Sequence, residues 1–224
     1  MKYGEPSEDD LANGGRRVEV YNCGNNSCDG KGKFVRYQYP EKLFETREGR
    51  CGEWAHCFAG LLDVGLGMEV RKVLDWTDHV WVEVWLPEVR KWVHVDCCED
   101  VVDEPLLYEK GWGKRLSYVI AVGRLGIVDV SRFYVMKWEE TLGRRKEIDE
   151  KELKGAIEKL NEEILEDLNE ESRNVAVGIG RLMPGNRFDP EGLVDSGRNL
   201  GGRTSGSADW IAARGEQGTK TPQN

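Results

Sequence analysis

Four features that would assign this 224-residue chain to a broad class are missing. Basic residues are in the minority, with 32 Lys and Arg against 41 Asp and Glu, so a nucleic-acid-binding surface over the whole domain is disfavoured. No hydrophobic run is long enough to cross a bilayer, because the best candidate, SYVIAVGRLGIVDV, is interrupted by Arg124. We therefore expect a globular protein with no nucleic-acid ligand and no membrane insertion.

A secretion signal is also missing, since no positively charged segment followed by an apolar stretch opens the chain. The six cysteines include the adjacent Cys97 and Cys98 and do not resemble the disulfide framework of a small secreted domain. We expect a cytosolic protein, with a nuclear and cytosolic location as the alternative, in which cysteines serve catalysis or metal binding.

The beginning of the chain predicts a lead-in followed by a hairpin. Residues 1–16 are polar and end in glycines, which predicts a poorly ordered, flexible segment. Residues 17–36 then alternate like two strands around a Gly/Asn turn. The tip of this predicted hairpin carries Cys23 and Cys28.

A helix is predicted to begin at Cys51 in GRCGEWAHCFAGLL and to end at the glycines that follow it. A helix N-terminus stabilises a thiolate, so Cys51 is a candidate nucleophile, and a small buried hydrophobe is the alternative. His56 of this helix is expected to be solvated, and Cys57, Cys97 and Cys98 to pack. The predicted apolar face consists of Trp54, Ala55, Phe58, Leu61 and Leu62.

Two further strands, HVWVEVWL and KWVHVD, predict a hairpin in which Leu86 pairs with Lys91. One face is then apolar and consists of Val80, Val82, Val84, Val93 and Val95. The other face is polar and aromatic and carries His79, Trp81, Glu83, Trp85, Trp92, His94 and Asp96. This register places Asp96 diagonal to His79.

A nucleophilic cysteine needs a base, and the base needs an orienting group. Cys51, His79 and Asp96 supply these three residue types. His94, expected opposite Glu83, is a candidate for a supporting contact.

The last third of the chain predicts more strands and then a helix. SYVIAV and FYVMKW are typical of strands, with GIVDVS between them. Residues 147–172 predict an amphipathic helix, docked on the domain or on a partner. Residues 173–224 are expected to extend the core and to end in a loose tail beyond about Arg214.

Several motifs together resemble the transglutaminase-like core of the cytoplasmic peptide:N-glycanase family. They are GRCGEWAHCF, DWTDHVWVEVW, KWVHVDCCED, VVDEP, PLLYEKGWGKRLSYVIAV and, near the end, GRTSGSADWIAARGE. The resemblance implies an α+β, papain-like transglutaminase core over residues 17–146, in which the helix carrying the cysteine packs on an antiparallel β-sheet.

The resemblance also implies an activity, the amidase cleavage of N-linked glycans from misfolded or denatured glycoproteins. Cys51 corresponds to the nucleophile, His79 to the base and Asp96 to the orienting carboxylate. The thiolate attacks the glycosylated asparagine amide to form a thioester, whose hydrolysis leaves aspartate. The backbone N–H of Cys51 is a candidate oxyanion donor.

A sugar needs stacking surfaces and polar groups, and Trp81, Glu83, Trp85 and Trp92 supply both on one hairpin face. The alternative is that these tryptophans only pack the sheet. A binding site for sugar favours the amidase over a transglutaminase or protease with the same triad. The third alternative, a non-catalytic scaffold like the DNA-repair relatives of this fold, is disfavoured by the intact triad.

The family also implies a structural zinc and a ubiquitin-shuttle adaptor as a partner. Of the two cysteine pairs of the family's zinc site, this chain has the later one, Cys23 and Cys28, which is only half of a tetrahedral site. The helix over residues 147–172 is a candidate surface for the adaptor. The resemblance also implies that the family has Asn at the position that His56 occupies in this chain.

Overall fold

A computed structural model describes residues 2–22, 30–180 and 200–218 of the chain. The chain divides into two compact units, Met1–Met68 and Glu69–Asn224. Each unit combines helices with one antiparallel sheet, which confirms the α+β class. Among the described residues, no helix combines the length and apolarity needed to cross a membrane.

The first unit contains a three-stranded antiparallel sheet in the order β1-β2-β3. Strands β2 and β3 form the predicted hairpin, with Val18 opposite Val35. Both valines are buried, as is Leu43, and together they form part of the core of this unit. The elements are β1 (Lys2–Gly4), α1 (Glu8–Ala12), β2 (Arg17–Asn22), β3 (Lys31–Arg36), α2 (Pro40–Thr46) and α3 (Cys51–Gly60), followed by a π-helical turn at Leu61–Gly65.

The segment expected to be a flexible lead-in instead contains β1 and α1. Ser7 caps α1 by accepting the backbone N–H of Asp10, while the Asp10 side chain accepts the backbone N–H of Ser7 at 2.7 Å. Asp10 also pairs with Lys33 of β3 and accepts a hydrogen bond from the Tyr37 hydroxyl at 3.0 Å. These contacts with distant residues order a segment whose local composition predicts a loop.

The buried side of α3 differs from the predicted one. Ala55 is buried as expected, but the other buried residues of the helix are Cys57 and Ala59, while Leu61 is 47% exposed. The helix begins at Cys51, which confirms the predicted start, and Cys57 packs as predicted.

The second unit contains a six-stranded antiparallel sheet in the order β7-β6-β5-β4-β8-β9. Its elements are β4 (Val70–Asp75), β5 (His79–Leu86), β6 (Lys91–Asp96), β7 (Val101–Val102), β8 (Val119–Gly123), β9 (Gly126–Asp129), α4 (Trp138–Leu142), α5 (Glu150–Asp167), α6 (Glu170–Gly180) and α7 (Ala208–Ala213), with a π-helical turn at Leu107–Gly111 and a 3₁₀ turn at Ser131–Phe133.

The hairpin of β5 and β6 has the predicted register. Leu86 pairs with Lys91, Glu83 with His94, and Trp85 with Trp92. The two predicted strands coincide with the observed ones, because alternating valines and a polar loop specify both the strands and their pairing.

Three predictions for the later chain need correction. FYVMKW does not form a strand, since its first residue ends the 3₁₀ turn and its last begins α4, while GIVD becomes β9. The helix predicted over residues 147–172 divides into α5 and α6, because Asn169 accepts the backbone N–H of Ser172 at 2.8 Å and so caps a new helix. The loose tail expected beyond about Arg214 contains the buried Glu216, which lies shortly after α7 and its cap.

The aromatic cluster of the second unit lies on the side of the sheet that carries Trp81. Trp81 of β5 and Val119 of β8 are buried together with Tyr108 and Trp112, which lie between β7 and β8 in sequence, and with Tyr134, which follows β9. This aromatic cluster surrounds the end of β5 that carries His79.

Candidate active site

The best-defined part of the site surrounds Asp96, the last residue of β6. Its Oδ2 lies 2.6 Å from His79 Nε2 and accepts the Tyr108 hydroxyl at 2.9 Å, while its Oδ1 accepts the backbone N–H of Cys98 at 2.9 Å. Burial alone would raise the pKa of Asp96, but the hydrogen bonds from His79, Cys98 and Tyr108 lower it below its ordinary value. A carboxylate only accepts, so Nε2 of His79 carries a proton.

The network continues to His94. The single hydroxyl proton of Tyr108 is donated to Asp96, so the same hydroxyl accepts from His94 Nε2 at 2.7 Å. His94 Nδ1 accepts the backbone N–H of Glu104 at 3.3 Å. Burial lowers the pKa of His94 to about 4. His94 is therefore a neutral donor that fixes Tyr108, which in turn supports Asp96.

Trp81 and Glu83 are buried, contrary to the prediction that they contact a sugar. They are 0% and 4% exposed. Trp81 stacks on Tyr108 with ring centroids 4.2 Å apart, and its indole N–H donates to the Tyr134 hydroxyl at 2.8 Å. Glu83 pairs with Arg71 and accepts the Tyr134 hydroxyl at 2.5 Å. Both residues belong to the core because the aromatic cluster covers this part of the hairpin face.

Trp85 and Trp92 lie further along the same face and are only half-buried. They face each other across the hairpin with ring centroids 5.6 Å apart. The guanidinium of Arg71 lies 4.1 Å from the centre of the Trp92 ring. Their contact with sugar stays a prediction.

Cys51 occupies the first position of α3 and is half-buried. Arg50 before it is extended, with φ −97° and ψ −179°, and its backbone N–H donates to the Glu53 side chain at 2.9 Å. This contact fixes the start of the helix. The N–H groups of a first helical turn point away from the helix body and favour negative charge, as on a thiolate.

Two arginines add positive charge near this helix start. Arg36 pairs with Glu53 at 2.7 Å and interacts electrostatically with Cys51. Arg50 pairs with Glu19, which is 1% exposed. Burial would raise the pKa of Glu19, but hydrogen bonds, including that from Arg50, lower it. A neighbouring guanidinium and a helix N-terminus are the features that favour a cysteine thiolate.

Two contacts of the site have no signal in the local sequence. Tyr108 lies in a π-helical turn, and Arg203, 124 positions after His79, donates from Nη2 to His79 Nδ1 at 3.3 Å. Neither residue stands at a spacing that links it to β5 or β6. The motifs PLLYEKGWGK and GRTSGSADWIAARGE contain them, so the family resemblance is the one signal that covered both.

The other candidate residues have mixed outcomes. Cys23 and Cys28 lie outside the described residues. His56 is exposed, as predicted. Cys97 is exposed rather than packed, and Cys98 is half-buried.

Two family models match parts of this chain. The model of the transglutaminase-like superfamily matches residues 3–97, and that of the Rad4 transglutaminase-like domain matches residues 75–179. A solved structure of Rad4–Rad23 bound to a 6-4 photoproduct UV lesion is 18% identical, with a TM-score of 0.47, and the match covers 68% of this chain and 38% of that one.

Curated relatives match nearly the whole chain. The human peptide-N(4)-(N-acetyl-beta-glucosaminyl)asparagine amidase is 44% identical over 218 residues, covering 95% of this chain and 32% of the relative. The amidase of the same name from Arabidopsis thaliana is 40% identical over 223 residues, covering 96% of this chain and 30% of the relative. The chain thus spans about a third of the length of these relatives. It is similar to the transglutaminase-like superfamily over residues 3–97 and to these amidases over nearly its whole length.

Proposed function

We propose that this chain is the catalytic core of an amidase that removes N-linked glycans from misfolded or denatured glycoproteins. The observation that carries the proposal is the similarity of 95% of the chain to amidases of this name, at 44% identity. The hydrogen bond between His79 and Asp96 and the position of Cys51 at a helix start support it.

The proposed reaction uses Cys51, His79 and Asp96 together. His79 accepts the Cys51 thiol proton, and the thiolate attacks the side-chain amide carbonyl of the glycosylated asparagine. As the carbon–nitrogen bond breaks, the imidazolium gives its proton to the departing glycosylamine, and a thioester remains. Water, deprotonated by His79, hydrolyses the thioester to an aspartate and restores the thiol. The backbone N–H of Cys51 is the candidate donor to the oxyanion.

We propose that Trp85 and Trp92 form part of the glycan surface. They are half-buried aromatic residues on the hairpin that also carries His79 and Asp96. Indole rings stack on the C–H faces of sugars, and rings with one exposed side are suited to that contact. Trp81 and Glu83 do not enter this part of the proposal, because they are buried.

The test is incubation of the purified chain with a denatured high-mannose glycoprotein, with a Cys51→Ala variant alongside. We expect release of the glycan and conversion of asparagine to aspartate by the unmodified chain alone, measured by mass spectrometry. Because Cys51 is half-buried, we expect the variant to keep the circular dichroism spectrum of the parent. Equal activity of both proteins would contradict Cys51 as the nucleophile.

The same preparation separates the alternatives. A transglutaminase would join glutamine side chains to an added amine, and a protease would cut the unglycosylated protein. A scaffold would do neither. Any of these outcomes without glycan release would replace the amidase proposal.

We also propose that Cys23 and Cys28 contribute to a structural zinc site. Two thiolates suit zinc but supply only half of its usual four ligands. Over residues 2–22, 30–180 and 200–218 there is no group of three or more His, Cys, Asp or Glu side chains that could hold a metal. Two ligands would then have to come from elsewhere. Elemental analysis of the chain beside a Cys23→Ser variant tests this, and zinc-free wild-type protein would contradict it.

We propose a cytosolic location, with the nucleus as the alternative, and a ubiquitin-shuttle adaptor as a partner. The family resemblance supports both. Helix α5 has no fully buried residue, and its Leu160 is 44% exposed. Calorimetric titration with purified adaptor, beside a Leu160→Lys variant, tests the partner.

A further inference from the structure

The proton-accepting nitrogen of His79 is in contact with an arginine. Nε2 of His79 is bound to Asp96, and the opposite ring nitrogen, Nδ1, lies 3.3 Å from Nη2 of Arg203. Arg203 is 8% exposed, although the side chain is charged. A buried guanidinium at this position calls for a physical account, because burying a charge without partners is costly.

Arg203 is held from several directions. Its guanidinium lies between two indole rings, 4.8 Å from the centre of Trp112 and 4.4 Å from that of Trp210. Its Nη1 donates to Glu216 at 2.9 Å, and its Nε donates to the carbonyl of Ser205 at 3.0 Å. The guanidinium is thus held by contacts on several sides, with Nη2 directed at His79.

The backbone around Arg203 is also closed. Glu99 accepts the backbone N–H groups of Thr204 at 2.8 Å and of Ser205 at 3.1 Å. Gly202 lies against the chain near Gln217 so closely that a β-carbon would meet the Gln217 carbonyl oxygen at 2.1 Å. Only glycine allows this approach, which brings Arg203 and Glu216 together.

The donor and acceptor types fix the state of His79. A guanidinium only donates, so Nδ1 must accept and carries no proton. Asp96 requires the proton on Nε2. The ring is therefore neutral, with a lone pair on Nδ1, the form that a general base needs.

We propose that Arg203 is a positioning residue that keeps His79 neutral with its lone pair on Nδ1, and that makes the imidazolium formed during turnover a stronger acid. The second half rests on the proposed function. There Nδ1 gives up the hydrogen bond from Arg203 as it takes the thiol proton, and it then passes that proton to the glycosylamine nitrogen as the carbon–nitrogen bond breaks. A fixed cation beside Nδ1 favours that second transfer, which is the demanding one because amines leave poorly when unprotonated.

Other charged and titratable groups also surround His79 within the second unit, so the effect of Arg203 must be separated from theirs. On the neighbouring strands and on the segments packed against β5, they are Asp75, Asp96, Cys97, Glu99, His94, Tyr108, Lys114, Arg214 and Glu216. Asp96 favours the imidazolium, whereas Arg203 opposes it. The proposal therefore predicts that loss of Arg203 raises the titration midpoint of His79, and by more than loss of another nearby cation does.

The test is a pH titration of the histidine ring nitrogens by ¹⁵N nuclear magnetic resonance of the whole chain. The sequence has three histidines, at positions 56, 79 and 94, so assignment needs few variants. In the wild type we expect His79 to carry its proton on Nε2 at neutral pH. A proton on Nδ1 at neutral pH would overturn the proposal before any variant is made.

Arg203→Met removes the charge and the donor, and Arg203→Gln removes the charge but keeps an N–H donor. We expect both to raise the titration midpoint of His79 by about 1 pH unit or more. The matched control is Arg214→Met, because Arg214 also pairs with Glu216 and stacks on Trp210, yet its other contacts are with Thr77 and Asp78. Midpoints that move equally in the Arg203 and Arg214 variants would overturn the proposal, and the His94 signal reports whether each variant is folded.

The activity measurement separates this inference from the proposed function. If the wild type releases glycan, we expect the acid limb of the pH profile of kcat/KM to shift to higher pH in Arg203→Gln. We also expect kcat to fall by about tenfold or more. A change in KM alone would contradict the acid–base role. If the wild type releases no glycan, the proposed function fails, while the nuclear magnetic resonance titration still decides how Arg203 acts on His79.

Discussion

His79 and Cys51, the two residues on which the proposed chemistry depends, are held by different kinds of structure. His79 is 1% exposed, and side chains bind both of its ring nitrogens, Asp96 on one side and Arg203 on the other. Cys51 is half-buried and owes its surroundings mainly to the start of a helix. The proposed base is held by a buried side-chain network, and the proposed nucleophile mainly by the backbone of a helix start.

This difference predicts whether a substitution changes activity alone or activity and stability together. A helix start survives the loss of one thiol, so changes at Cys51 should affect chemistry and leave stability unchanged. In a buried hydrogen-bond network, effects on chemistry and on stability cannot be separated in this way. Each polar group that is left without its partner destabilises the fold. Changes around His79 should therefore alter activity and stability together.

The largest expected effect that tests this comparison belongs to Asp96→Asn. An amide can donate to Nε2 of His79, which would place the ring proton on Nδ1 and remove the base. We expect kcat to fall by about 10³- to 10⁴-fold, as for the same change in other triads. Unlike Cys51→Ala, this variant should also unfold at a lower urea concentration. Glycan-release kinetics and urea denaturation measure the two effects.

Asp103→Asn is the control for that variant. It makes the same chemical change at a side chain that is 48% exposed and pairs with Lys91 at 2.8 Å. An exposed ion pair contributes about 0–1 kcal/mol, so activity and stability should change little. If Asp96→Asn changed activity and stability as little as Asp103→Asn, the buried network would not be what keeps His79 in its basic form.

The next effect is on stability and concerns the ion pair between Arg71 and Glu83. Both side chains are almost fully buried, at 4% and 6% exposed. Arg71→Met leaves the Glu83 carboxylate without its cation, and we expect the free energy of unfolding to fall by about 3–5 kcal/mol. Urea denaturation measures the loss.

The double variant with Arg71→Met and Glu83→Leu sharpens this test. Replacing both partners by apolar groups removes the unpaired charge, so much of the lost stability should return. Lys91→Met, at a 54% exposed position, is the control and should cost about 1 kcal/mol or less. A double variant as unstable as Arg71→Met would show that packing, not charge, explains the loss.

Much of this architecture could be predicted from sequence where the signal is local. The alternating valines of β5 and β6 predicted the strands, their register and the closeness of His79 and Asp96. The apolar spacing after Cys51 predicted the start of α3. Both patterns repeat with the period of the element that they form, so a few residues suffice.

The remainder depends on contacts between residues far apart in sequence. Tyr108 reaches Asp96 from a π-helical turn, and Arg203 reaches His79 across 124 positions. FYVMKW has the composition of a strand, but its Tyr134 instead packs on Trp81 in the core. The burial of Trp81 has the same cause, because an aromatic–polar face looks identical in sequence whether a ligand or other aromatic residues cover it.

The smallest expected effect comes from His94, at the far end of the network. Burial lowers its pKa from 6.5 in the unfolded chain to about 4 in the folded one. Between these values the unfolded chain binds a proton that the folded chain does not, so the free energy of unfolding falls as the pH drops from about 6.5 to 4. The loss is at most about 3 kcal/mol. The pKa values of Asp96, Glu19 and Glu216 are also lowered, so these carboxylates reduce the free energy of unfolding only when the pH falls below the ordinary carboxyl range.

Thermal unfolding at several pH values across that window measures the slope, and two histidine variants assign it. His94→Gln should flatten the slope, because the group that binds the extra proton in the unfolded chain is gone. His56→Gln, at an exposed position, should leave it unchanged. If the slope persisted without His94, another buried group would bind the proton, and His79 would be the one to examine, since its ring is enclosed by the same network. The comparison between a buried proposed base and a proposed nucleophile at a helix start would then rest on His79, because its imidazole rather than that of His94 would depend on the interior for its neutral state.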